Sequence, residues 1–132
     1  MALTNDRDTR MKDGELVNLG VAASTIIYAG ALVAVNGNGL AVPASDTANL
    51  NVLGRAEHRA DNSAGQDADI DIIVRRNKAF LFDNDGSSPV LPGHIGKVVM
   101  VKDDHTIAAS SANSIVAGMC LNVTSEGVWI FK

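Results

Sequence analysis

Apolar residues along this chain fall into short runs of three to seven, broken by Gly, Asn, Asp and Ser. Thr25–Tyr28, Ala31–Val35 and Leu40–Val42 come first, followed by Val52–Glu57 and Asp69–Val74. Ala79–Phe82, Lys97–Val101, Thr106–Ala108, Ile115–Leu121 and Gly127–Lys132 complete the series. Runs this short, rich in β-branched residues and punctuated by turn residues, predict strands. Leu16–Val35 is apolar enough to suggest a helix, but Gly20, Gly30 and the β-branched Val21, Thr25, Ile26 and Ile27 disfavour one. Asn36-Gly37-Asn38-Gly39 predicts a tight hairpin, because Asn and Gly tolerate the positive φ such turns need. The expected fold is all-β: one small sandwich or barrel over residues 15–132.

Residues 1–14 break the pattern. Asn5-Asp6-Arg7-Asp8-Thr9-Arg10 is polar throughout, and only Leu3 and Met11 offer apolar anchors. Such a segment buries too little apolar surface to offset its ordering entropy, so it is expected to be a flexible N-terminal arm. Its second use would be an extended arm that orders on a neighbouring subunit. Leu3, Arg7, Arg10 and Met11 are then the candidate contacts.

Composition narrows the function classes. Across 132 residues hydrophobic side chains make up 46% but aromatics only 4%, so the core is aliphatic and few rings remain for stacking bases or sugars. A net charge of −4, with Arg75-Arg76 and Lys78 as the only basic run, gives no general attraction for a phosphate backbone, and no nucleic-acid partner is expected. No apolar run approaches the roughly 20 residues that cross a bilayer, and the polar start predicts no signal peptide, so no membrane partner is expected. The lone Cys120 cannot form an internal disulfide, which fits folding in a cytoplasm.

Candidate chemistry is sparse. Asp67, Asp69 and Asp71 alternate with Ala68, Ile70 and Ile72, which predicts one carboxylate face on a strand with roughly 7 Å per step. A straight strand splays carboxylates apart where calcium needs convergent oxygens, so the trio is read as a solvated face or one that meets a basic partner. Arg75 and Arg76, just downstream, are its plausible complements on an adjoining strand or subunit. His58, His94 and His105 show no metal-ligand spacing. Cys120, between Met119 and Leu121, reads as a buried inert thiol, and Trp129 reads as core. No catalytic residues, metal or cofactor are expected.

Tyr28-Ala29-Gly30-Ala31-Leu32-Val33, Ala41-Val42-Pro43-Ala44, Leu53-Gly54-Arg55-Ala56-Glu57 with Asp61-Asn62-Ser63, and Asn113–Gly118 through Gly127-Val128-Trp129 together resemble the decoration (cement) proteins of tailed-phage capsids. The resemblance runs from about Ala22 to Phe131 and leaves the arm outside. It implies a small all-β structural protein without enzymatic activity, commonly a trimer, that clamps the major capsid protein on the exterior of the virion. Such a protein is made in the bacterial host cytoplasm. The alternatives are a tail or baseplate component of the same kind of particle, or a small β-fold hydrolase or carbohydrate-binding module. The carbohydrate reading needs exposed aromatics, which only Tyr28, Phe80, Phe82, Trp129 and Phe131 could supply.

Overall fold

The computed structural model describes residues 1–132 and contains twelve strands and a single 3-10 turn at Pro92–His94. The strands are β1 (Leu16–Gly20), β2 (Thr25–Ile27), β3 (Leu32–Val35), β4 (Ala41–Pro43), β5 (Asn51–Ala56) and β6 (Ala60–Asn62) in the first half. The second half supplies β7 (Asp71–Arg75), β8 (Ala79–Asn84), β9 (Val98–Val101), β10 (Thr106–Ala108), β11 (Val116–Thr124) and β12 (Gly127–Phe131). The all-β expectation is met. No helix is long and apolar enough to cross a membrane.

Three pairing units emerge. An open sheet has the order β1-β7-β5-β3-β4, a closed five-stranded barrel runs β10-β8-β12-β11-β9, and β2 pairs with β6 alone. Asn36 and Gly39 close the β3–β4 hairpin as expected: Asn36 N–H donates to Leu40 O at 3.0 Å, and Gly39 sits at φ +77°. Pro43 lies on β4, an edge strand, where its missing N–H breaks no ladder.

Strand β3 ties the units together. Leu32 and Ala34 join the core of 15 buried residues that fills the barrel, with Val99, Ile107, Val128 and Ile130. Val33, between them, joins a second core of nine residues with Val21, Ile27, Ile72 and Val74. Period-two alternation sends successive side chains to opposite faces, so one strand feeds two cores. The strand-to-strand approach is close at Gly54, where a Cβ would collide with the carbonyl oxygen of Arg75. Farther out, the Asp46 carboxylate accepts Ala112 N–H at 3.0 Å and Asn113 N–H at 2.9 Å, pinning the loop after β4 to the loop before β11.

Two expectations about elements change. The strand anticipated from Asp69 begins at Asp71, because residues 66–70 form a turn with Ala68 at φ +62°. Asn62 explains it: it is buried on β6, and its amide reaches Val21 O (3.2 Å), Ala22 O (3.0 Å) and Gln66 O (2.8 Å). One amide group shared among three backbone carbonyls holds the turn against the strand alternative. The second change is β1, formed by residues for which sequence predicted no strand.

Residues 1–14 are exposed throughout and form no strand. Their one backbone hydrogen bond is local, from Thr9 N–H to Arg7 O. The arm leaves the body at Glu15, which pairs with Lys78 and whose carbonyl accepts Arg76 N–H at 2.8 Å.

Because Leu32 and Val33 are neighbours serving different cores, each truncation should weaken the whole domain. Leu32→Ala is expected to cost about 2–5 kcal/mol and Val33→Ala about 1.5–3 kcal/mol. Denaturant unfolding of both should remain a single transition; a variant that loses only part of the signal at low denaturant would show that the cores unfold separately.

Candidate interaction site

The carboxylate trio does not form a face. Asp67 accepts Ala23 N–H at 2.8 Å, Asp69 accepts Gln66 N–H at 2.8 Å, and Asp71, alone on a strand, accepts from the Asn18 amide at 2.9 Å. Each carboxylate thus fastens its own stretch of backbone or side chain, and the expected alternation is lost with the turn at Ala68. Arg75 is not their complement either. It lies directly across from Arg55 on the neighbouring strand, and Glu57 bridges the two guanidiniums, with Arg75 Nε at 2.7 Å. Facing like charges repel across a ladder, so the carboxylate between them removes a local penalty. Arg76 has its Nε buried and without a hydrogen-bond partner, and its charge acts on Lys132.

Leu3, Arg7, Arg10 and Met11 stand free on the arm, Leu3 72% and Met11 97% exposed. They meet neither the three aspartates nor Arg75.

Cys120 is fully buried in the barrel core, and burial pushes its thiol above the ordinary range. The histidines serve separate local roles. His58 Nε2 accepts Ile73 N–H at 3.1 Å, His94 Nδ1 accepts Leu91 N–H at 2.9 Å, and His105 lies 3.3 Å from Asp83 and 3.6 Å from Asp103. Asp103, Asp104 and His105 bring three ligand-type atoms within 4.8 Å of one another on a turn where only His105 is fully exposed. Beside them is an open depression of about 280 Å³ lined by Tyr28, Ala29, Gly30, Ala31, Asp104 and His105. Neither Cys120 nor Asp67, Asp69 or Asp71 lines it.

What sequence reasoning missed lies on the outside of the barrel. Pairing places Ala79, Phe131, Met119 and Val98 in one row across β8, β12, β11 and β9. All four are exposed, Val98 by 54%, Phe131 by 42% and Met119 by 40%. The next outward position carries Trp129, placed between Leu81 and Asn122 and 36% exposed, with Leu121 pushed outward at the β-bulge between Cys120 and Asn122. Trp129 is therefore on the exterior, not in the core, while Phe80, Ile130 and Cys120 fill the inside. The signal was present: Val128-Trp129-Ile130-Phe131 is apolar without alternation, which marks a strand with two apolar faces. The barrel thus leaves an apolar outer face in water across β9, β11 and β12.

No known protein family, curated protein or solved structure matches the chain.

Glu57 supplies a pH test. The Arg75 hydrogen bond, aided by Arg55, holds its carboxyl below the usual range. A depressed folded-state pKa stabilises the native state above the unfolded value and is lost as pH falls through the folded one. Glu57→Gln should lower the melting temperature at pH 7 and narrow the gap between melting at pH 7 and at pH 3. An unchanged gap would mean that the bridge carries no pH-dependent stability.

Proposed function

We propose that this chain is a structural virion protein that decorates a tailed-phage capsid, binding the outer surface of the major capsid lattice as a homo-oligomer. The observation that carries this reading is the pairing of a free polar arm with an uncovered apolar barrel face on a body built almost wholly of scaffold. An unpacked arm with Leu3 and Met11 as its apolar anchors suits ordering on a neighbour, at a modest net gain per subunit. Repeated over a shell, weak contacts gain from effective concentration. The resemblance of residues 22–131 to decoration proteins supports the same reading.

In this reading the arm is not needed for folding. Deleting Met1–Lys12 should leave the melting temperature of the body nearly unchanged and reduce retention on capsids during sedimentation by a few kcal/mol per subunit, since ordering the arm yields only a modest net gain. Full retention would make the arm an ordinary frayed terminus. Failure of the full-length protein to bind capsids, together with binding to isolated tails, would favour a tail or baseplate role.

A further inference from the structure

The barrel is electrically lopsided. At the start of β8, Arg76, Lys78 and Lys132 gather: Lys132 N–H donates to Lys78 O, and Asn77 N–H donates to Lys132 O. Glu15 offsets one of these charges through its ion pair with Lys78. Burial, then the Arg76 charge, lowers the Lys132 amine's proton affinity. Next to this basic corner lies the apolar row of Ala79, Phe131, Met119 and Val98. At the far end of the same strand, roughly 13 Å along for four residues, Asp83 meets the turn of Asp103, Asp104 and His105. Lys102 on that turn leaves the group net acidic. Against it lies the depression walled by Tyr28 and the apolar Ala29 and Ala31, with Leu32 N–H bonded to Asp104 O at 2.7 Å.

We infer that the basic-rimmed apolar barrel face of one copy docks on the acid-rimmed depression of a second copy, so that the chain self-associates head to tail. This inference rests on the reading of the chain as a self-assembling structural protein, and it names the two surfaces that assembly uses. Two properties match across the contact. The exposed rings of Phe131 and Trp129 meet a concave surface, and a net basic rim meets one that stays net acidic, with Asp83, Asp103 and Asp104 set against Lys102 and the Arg59 guanidinium over the Tyr28 ring. Opposite rims steer the encounter and fix its register, while the apolar centre supplies most of the affinity. Because the two patches differ, the contact is heterologous: repeated with a closing rotation it makes a ring, and without closure a filament.

The test is sedimentation velocity of the full chain across concentration, with no capsid present. Wild type is expected to form a closed oligomer. Met119→Glu places a charge in the exposed apolar row, where the fold has room for it, and should give a folded monomer by circular dichroism. Lys132→Glu and Asp104→Lys should each weaken association at least tenfold, and the chain carrying both should recover most of it. A wild type that remains monomeric, an oligomer untouched by Met119→Glu, or charge reversals without mutual rescue would each overturn the inference. Loss of Lys132→Glu to misfolding would leave Met119→Glu and Asp104→Lys to decide. Capsid retention is measured separately, so an intact oligomer that ignores capsids would count against decoration and not against this interface.

Discussion

The alternation of Leu32, Val33 and Ala34 along one strand is the constraint on which the rest of the structure depends. Leu32 and Ala34 complete the barrel core, and Val33 completes the smaller one. A one-residue slip of β3 would exchange these sets and put the wrong side-chain volumes into both cores at once. The hairpin at Asn36–Gly39 fixes the register from one side. On the other side Val33 pairs with Gly54 of β5, and only a residue without a Cβ there lets Arg75 O of β7 come so near. The open sheet is thus a shared wall, and the barrel and the β2–β6 pair are built against it.

Closing the barrel has a consequence for its exterior. Circular pairing removes every edge from those five strands, so the barrel itself offers no ladder for a partner to extend. What it offers is side chains, and on β9, β11 and β12 these are apolar outside as well as inside. Burying Val98, Met119, Trp129 and Phe131 against a second surface would remove hydrophobic area that a solitary chain leaves in water. The charge distribution then gives such burial a direction, with cations by the apolar row and carboxylates at the opposite end of β8. The arm adds a separate, detachable contact rooted at Glu15, beside the basic corner.

Much of this was legible in the residues. Short β-branched runs and the Asn-Gly turn located most strands, and the polar composition of residues 1–14 set the arm apart. Cys120 sits in the apolar interior its neighbours suggested. The Asp67, Asp69 and Asp71 pattern misled because alternation alone cannot reveal a competing buried amide; Asn62 lies outside the run and makes its three bonds only in the folded chain. Sequence proximity points Arg75 at the wrong carboxylates for a related reason: its partner, Glu57, is brought to it by cross-strand register, which depends on long-range pairing. An aromatic in an apolar run is usually buried, which is why the sequence reads Trp129 as core. The unbroken apolar run marks a strand with two apolar faces, and the pairing with Leu81 and Asn122 shows which of them carries Trp129.

Trp129 is the chain's single tryptophan, which makes its environment directly readable. Its fluorescence and its quenching by acrylamide, followed from dilute to concentrated solution, test most directly whether the outer barrel face is a surface that becomes covered. If that face mediates assembly, the dilute protein emits at long wavelength and quenches readily, and both signals shift toward a shielded indole as the oligomer forms. An indole that stays equally accessible at every concentration, while the sedimenting mass rises, would contradict a role for this face.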